Sequence, residues 1–410
     1  YKSLEDFDLK RIFADIRQKQ DKNRRRRDMT DNRYRRLPVG IQSFKVIREE
    51  NYLYVDKSDI VWNMVNLGDK YNYLSRPRRF GKSVLVDTLE AYLEGRKDLF
   101  EGLKIIQMEK DWKHYPVIRL DMSRGGANEE TLRSYLNLRF KDYEEKYNIT
   151  PDPTAMLADR FHAIIATAYK QTGLRVAVLI DEYDSPLQHS WRTPEHEKCT
   201  GVYREVFAIL KADDEYEHFV FITGITKFTQ ISLFSVLNNL SNISFTPEYA
   251  AICGITEEEI EENFMPEIRQ MSEANNWSLQ ETHDRLKAYY DGYHFSDDNM
   301  VDIYNPYSLV NALKQRKIKN FWASSGATSL LPKFVDNAEL RLSKFENCSI
   351  MRNTLELSDV SGGGAELFLY QSGYLTIKES DEFGYILGFP NEEVKQALYE
   401  YYGEDLTAGR

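Results

Sequence analysis

The chain has 410 residues, 42% of them hydrophobic and 29% charged, with a net charge of −11 at pH 7. That much apolar material builds real cores and excludes a wholly disordered protein, and at about 100–200 residues per domain the length predicts two to four domains. No run of about 18 apolar residues occurs, so no membrane contact through a spanning helix is expected.

The three cysteines, Cys199, Cys253 and Cys348, lie far apart and match neither a zinc spacing nor a disulfide framework. The seven histidines form no HExxH or paired motif. A reducing, cytoplasmic setting is the default expectation, and no transition-metal site is expected. The first residues are mixed in charge and lack an apolar stretch, so no secretory signal is expected in them.

Residues 1–36 carry 13 Lys/Arg against 7 Asp/Glu, a net of +6, and the rest of the chain carries −17. Leu9, Ile12, Phe13 and Ile16 recur at helical spacing. The basic clusters Lys22–Arg27 and Arg33–Arg36 follow. One reading is a solvated arm. The other is an arm that contacts phosphate, in DNA or RNA, or docks a partner. An acidic body does not advertise nucleic-acid binding over its whole surface, so any such contact is expected to be local.

From Leu37 short apolar runs alternate with helical stretches. Gly40–Phe44 either walls a nucleotide base or is a core-edge loop. Tyr52–Val55 is strand-like, and a surface ion pair is the simpler account of the Asp56-Lys57 that follows. Tyr71–Ser75 is a predicted strand ending in a basic loop, after which Val84, Leu85, Leu89, Tyr92 and Leu93 share one helical face. Val117–Asp121 is a second strand. Helices are predicted over 129–147 and 155–171, the latter with the stripe Leu157, Phe161, Ile164, Ile165 and Ala168. Val176–Ile180 is an uninterrupted aliphatic strand, 200–212 a helix, and Phe219–Thr223 another buried strand. Such runs alternating with helices predict an α/β fold, a parallel sheet with helices on both faces, over 37–250.

Beyond 250 the character changes. Thr256 with Glu259 three residues later predicts a capping box. Residues 255–320 are mostly helical, with further helices near 305–317 and 328–345. The strands Tyr374–Lys378 and Tyr385–Phe389 flank an Asp-Glu-Phe-Gly turn and predict a hairpin. The glycines 362–364 predict a loop, and 391–402 begins another helix. The aromatic run Tyr289–Phe295 is read first as packing between domains, with base stacking as the other reading.

The segment with the most chemistry is Arg76-Pro77-Arg78-Arg79-Phe80-Gly81-Lys82-Ser83, between a strand and a helix. A P-loop reads G-x-x-x-x-G-K-[ST]. Here Gly81-Lys82-Ser83 is intact, and Arg76 stands at the first glycine. Backbone N–H groups at the helix start still point at a phosphate. Lys82 is placed to reach the β- and γ-phosphates of ATP, and the Ser83 hydroxyl to bind Mg²⁺. Arg78 and Arg79, with Arg76, either cradle phosphate or salt-bridge elsewhere, and Phe80 belongs to the same turn. A second element agrees: Val176–Ile180 ends in Asp181-Glu182, at the carboxyl end of a buried strand where ligands of α/β sheets bind. Asp181 is expected to hold Mg²⁺ and Glu182 to act as general base toward the attacking water. Val117–Asp121 is the intervening strand, the order expected when an extra strand lies between the phosphate strand and the acidic strand. The strand Phe219–Thr223 is expected beside the phosphate strand. There Thr223 or Thr226 either senses the γ-phosphate, with Lys227 adding charge, or satisfies backbone at a strand end.

Several stretches carry a family resemblance. They are Leu37-Pro38-Val39-Gly40-Ile41, Tyr54-Val55-Asp56-Lys57, Leu74–Ser83, Leu179-Ile180-Asp181-Glu182-Tyr183-Asp184, Tyr290-Asp291-Gly292-Tyr293, Tyr304-Asn305-Pro306-Tyr307-Ser308, Gln371-Ser372-Gly373-Tyr374-Leu375 and Gly388-Phe389-Pro390-Asn391. Together they resemble the bacterial AAA-ATPase-like proteins that usually carry a C-terminal PD-(D/E)XK nuclease-like domain. The resemblance covers about 37–402 and includes the loss of the first P-loop glycine. It implies a P-loop NTPase fold over 37–250 and a helical, winged-helix-like lid or regulatory domain over 251–390. It also implies an ATP- and Mg²⁺-dependent activity. Residues 391–410 then begin a nuclease-like domain, but they hold no metal-binding Asp…Glu-x-Lys pattern, so no nuclease activity is expected of them. A homo-oligomer, an effector switched by nucleotide state, and a nucleotide-holding scaffold without turnover are the functional alternatives.

Overall fold

The computed structural model describes residues 36–152, 154–228, 240–335, 342–358, 360 and 364–403. The basic arm expected over 1–36 lies outside them apart from Arg36, as do residues 362 and 363 of the glycine loop expected over 362–364, while Gly364 begins the helix Gly364–Gln371.

Five parallel strands form the main sheet: β1 (Tyr71–Ser75), β2 (Val117–Asp121), β3 (Val176–Asp181), β4 (Glu217–Gly224) and β5 (Ser241–Asn242). Their order is β2-β3-β4-β1-β5. Every residue of β3 is buried, which is why its sequence is a continuous aliphatic run rather than an alternation. The helices Lys82–Leu93, Glu129–Lys146, Leu157–Thr172 and Glu195–Ala212 cover the sheet. Asn128 caps the second through the Thr131 N–H, and Gly173, at φ 68°, ends the third in the left-handed conformation that favours glycine.

The expected neighbour relation of β4 and β1 holds, with Leu74 beside Thr223. The strand between the phosphate strand and the acidic strand is β4, however, and not Val117–Asp121. That strand sits outside β3 at the sheet edge. The half-exposed Arg119 and Asp121 suit an edge, whereas Phe219–Ile222 is buried throughout and suits the centre. Tyr52–Val55 is not a strand. Tyr52 makes a single bridge to Arg36.

Four helices follow: Glu257–Asn263, Met265–Asn275, Leu279–Tyr290 and Pro306–Gln315. The predicted capping box is present at the first. They build a second core with Leu53, against which Leu37, Val39 and Val55 of the N-terminal segment pack. A short antiparallel pair, β6 (Ile255–Thr256) and β7 (Ile303–Tyr304), ties their two ends. The predicted hairpin is β9 (Thr376–Ser380) with β10 (Gly384–Gly388), its turn held by Asp381 Oδ1, which accepts the Phe383 and Gly384 N–H groups at 2.8 and 2.9 Å. An unanticipated strand, β8 (Cys348–Met351), completes a three-stranded sheet. Of the helix expected over 328–345, residues 336–341 lie outside the described residues, and the described ones form short turns, Ala327–Leu330, Leu331–Phe334 and Leu342–Phe345. Glu392–Tyr402 is helical as expected. Trp322, Phe368, Tyr374 and Leu398 belong to the same continuous core as the main sheet. Among the described residues no helix is long and apolar enough to cross a membrane.

Candidate active site

The chain leaves β1 at Ser75, turns through Arg76–Gly81 and enters the helix Lys82–Leu93. Arg79 (φ 68°) and Gly81 (φ 88°) take left-handed conformations that let the turn close. No side chain caps the helix start. Its first N–H groups and the positive end of the helix dipole are therefore available to an anion. Lys82 is buried and folds back over the loop, Nζ donating to Arg76 O and Pro77 O at 2.9 Å each. Burial pushes its pKa down, and the carboxylates of Glu182, Asp181 and Asp184 oppose that shift.

Asp181 ends β3 beside Asp121 of β2, with the Ser83 hydroxyl near enough to favour its charged form. Burial pushes its pKa up, with Ser83 and Lys82 acting against it. Glu182 follows at φ 48°, an uncommon conformation for a residue with a side chain. Burial raises its pKa as well, Lys82 lowers it, and Asp181 and Asp184 add to the rise. Asp184 points elsewhere. Its Oδ2 accepts from Ile225 N, Thr226 N, Thr226 Oγ1 and Gln188 Nε2, pinning the loop after β4 to the end of β3.

These groups open on a cavity of about 600 Å³, in the range of small-molecule sites. The loop and helix start, with Glu182, Ser123 and His189, make a polar wall. Pro38–Gln42, Tyr54, Ile252 and Phe264 make a largely apolar wall, and Tyr307 and Asn311 close it from the helix Pro306–Gln315. The segment at Gly40 thus faces the cavity.

Of the residues singled out in the sequence, Arg78, Arg79, Phe80, Gly81, Lys82, Ser83 and Glu182 line this cavity, and Asp181 stands behind Ser83. Four do not come to it: Arg76, Thr223, Thr226 and Lys227. Arg76 is 1% exposed, its guanidinium donating to Ser75 O, Ser244 O and Tyr249 O at 2.8–2.9 Å and lying 4.2 Å from the Phe295 ring centre. Burial lowers its pKa to about 10. It braces the loop from the far side and does not cradle a phosphate. Thr223 is fully buried, and its hydroxyl donates to Leu74 O at 2.8 Å inside the sheet, so it has no line to a γ-phosphate. Thr226 is bound to Asp184, and Lys227 Nζ to Glu356 O at 3.0 Å.

The loop also touches the C-terminal half at each step. Arg78 donates to Gly326 O and Ser329 Oγ, Arg79 lies 5.0 Å from the Tyr307 ring centre, and Phe80 meets Tyr293 and Phe295 edge-on. The aromatic run Tyr289–Phe295 therefore packs between the halves, as first read. Lys57 is a cavity residue that the sequence reading placed on the surface. It is buried and paired with Glu259. Its signal, Asp-Lys after an extended stretch, carries no hint of a partner 202 residues away.

A parallel sheet with a Gly-Lys-Ser loop between its first strand and the next helix defines the P-loop NTPase fold. The family model described as "Predicted AAA-ATPase" matches residues 38–234. An Azotobacter chroococcum mcd 1 protein, "Uncharacterized protein in vnfD 5'region", is 32% identical over 375 residues, covering 89% of this chain and 69% of that one. The chain belongs to this predicted AAA-ATPase-like family. Two solved structures are similar at low scores. The Aeropyrum pernix ORC1 protein in complex with DNA has 12% identity and a TM-score of 0.27, over 83% of this chain and 89% of that one. Cdc6p from Pyrobaculum aerophilum has 11% identity and a TM-score of 0.24, over 84% of this chain and 92% of that one. At those scores neither adds an argument about this chain.

Proposed function

We propose that the chain binds ATP in the 600 Å³ cavity and hydrolyses it with Mg²⁺. The observation that carries this is the convergence of Lys82, Ser83, Asp181 and Glu182 at an uncapped helix start. The base lies against the Pro38–Gln42 wall, and the phosphates lie on the helix N-terminus. Lys82 exchanges the two loop carbonyls for phosphate oxygens. Ser83 and Asp181 fit a magnesium ion, which takes one or two protein oxygens and keeps waters and phosphates for the rest. Bound there, the ion neutralises developing phosphate charge. Glu182 accepts a hydrogen bond from the attacking water and orients it. Its burial-raised pKa suits a base that must hold a proton transiently.

ATP turnover and equilibrium binding test this. Lys82→Ala is expected to abolish tight binding, and an unchanged affinity would sink the assignment. Glu182→Gln is expected to keep ATP bound and lower kcat by about 100-fold or more, the scale of a lost general base. A second reading is a nucleotide-holding scaffold without turnover. The buried Arg76 at the first glycine position favours it, because the loop is braced where a P-loop is open. Under that reading Glu182→Gln changes no rate.

The contacts of Arg78, Arg79 and Phe80 with the C-terminal half support a role as a nucleotide-driven switch for an effector, such as a nuclease-like domain beyond residue 391, within one chain or a homo-oligomer. Nucleic-acid contact through residues 1–36 is the proposal for the basic arm. Its deletion then weakens DNA binding and flattens the salt dependence.

A further inference from the structure

Lys57 enters the cavity from outside the phosphate loop. It precedes the helix Ser58–Asn66 and lines the same cavity as Lys82 and Ser83 while only 8% exposed. A buried ammonium needs a counter-charge. Lys57 Nζ finds it at Glu259, 2.5 Å from Oε1 and 2.7 Å from Oε2. Glu259 is pinned. Its Oε2 accepts the Thr256 N–H at 2.9 Å and its own N–H donates to Thr256 Oγ1 at 3.3 Å, the two arms of the capping box that starts the helix Glu257–Asn263. A cation on a flexible four-carbon stem thus faces an anion locked to a helix start. Burial pushes the Lys57 ammonium down from its ordinary range, with Glu259 opposing. Cys253 is also in the cavity wall.

We infer that Lys57 is a second anion-binding cation of this cavity, one that exchanges Glu259 for the phosphates of a bound nucleotide. The inference rests on the nucleotide reading above. Its first consequence is that Glu259 competes with the ligand for Lys57, so weakening Glu259 strengthens binding. Its second is that occupancy strips Glu259 of its counter-ion. The carboxylate stays where the helix dipole and the Thr256 N–H hold it, so the start of the helical half senses the ligand.

The test is equilibrium binding of ATP, ADP and adenosine to the full chain with Mg²⁺, using Lys57→Met, Glu259→Gln, the double variant and Lys82→Ala. Glutamine serves at this capping-box position as well as glutamate, so Glu259→Gln removes charge and keeps the cap. Methionine keeps the lysine stem's bulk in the cavity wall, and melting midpoints check that each variant folds. Lys57→Met is expected to weaken ATP about tenfold, one charge-assisted hydrogen bond, and to leave adenosine unchanged. Glu259→Gln is expected to tighten ATP a few-fold, a gain that vanishes in the double variant. Glu259→Gln binding ATP no better than the parent, or adenosine shifting in step with ATP, overturns the inference and leaves a structural ion pair. ATP binding that is lost in Lys82→Ala keeps the nucleotide reading whatever the Lys57 variants do. No ATP binding by the parent chain overturns both.

Discussion

Arg76 and Thr223 show how a residue type in the expected place does different work once its neighbours are known. Arg76 opens the Arg76–Gly81 loop, and Thr223 sits beside Leu74 of the strand that leads into it. Arg76 donates to three carbonyls on two segments, and Thr223 donates to Leu74 O. Restoring the general P-loop pattern with Arg76→Gly should therefore not tighten ATP. It strands the buried Ser244 carbonyl and leaves Tyr249 O without its partner, and it should cost about 1–3 kcal/mol for each buried acceptor left unsatisfied. Denaturant unfolding beside a binding isotherm checks this, and tighter ATP would contradict it. Thr223→Val should lower stability by about 1 kcal/mol, one lost hydrogen bond, with kcat and affinity unmoved. A drop in turnover at unchanged affinity would instead restore Thr223 as a sensor. Lys82, Ser83, Asp181 and Glu182 were legible because Gly-Lys-Ser and an aliphatic run ending in two acids are local patterns. Lys57 was not, because its burial comes from Glu259, far along the chain.

At the scale of elements, β3 and β4 were readable from continuous apolar runs, β1 and β2 from short stretches rich in strand-forming residues, and Leu157–Thr172 from its stripe. What escaped was short or half-covered. β5 has two residues, and β8 buries one residue of four. In the described part of the helix expected over 328–345, Phe334 stacks on Trp191 and Phe368, at 5.5 and 4.4 Å between ring centres, where a short turn ends. The loop after β4 depends on Asp184, a single oxygen serving four donors. Asp184→Asn keeps the shape and removes the charge those donors share, and it should lower the melting midpoint. Because this loop continues from the strand beside β1, hydrogen exchange should quicken at Ile225 and Thr226 before it does in β3. Equal protection in the variant and the parent would show that the carboxylate charge is not what fixes the loop.

Across the whole molecule the two halves share their cores. Leu53 and the Leu37–Val55 segment pack with the helices after 256, and Trp322 and Phe368 pack with the sheet. A fragment ending near residue 250 loses the partners of Phe80 and exposes both seams, so it should not unfold as a cooperative unit. A sharp two-state transition for that fragment would refute the shared-core account. Stability should also depend on pH through buried carboxyls. Burial raises Glu217 to about 8, and Asp291 and Glu393 to about 7. Each binds its proton more tightly folded than unfolded. The stability it lends is full below the ordinary carboxylate range, about pH 4, and is lost as pH climbs through 7 to 8. The melting midpoint should fall over that window, and Glu217→Gln should flatten part of the fall. A midpoint that rises with pH there would reverse the sign. By itself the sequence determined the parallel α/β sheet, the Gly-Lys-Ser loop before a helix and the buried strand that ends in two acids, because burial on both faces and a helix N-terminus leave local, periodic marks. Tertiary structure alone decided that Val117–Asp121 lies outside β3 at the sheet edge, that Arg76 turns away from the cavity, and that Lys57 turns into it against Glu259. Each of those outcomes depends on groups brought together across the chain, where no local pattern records them.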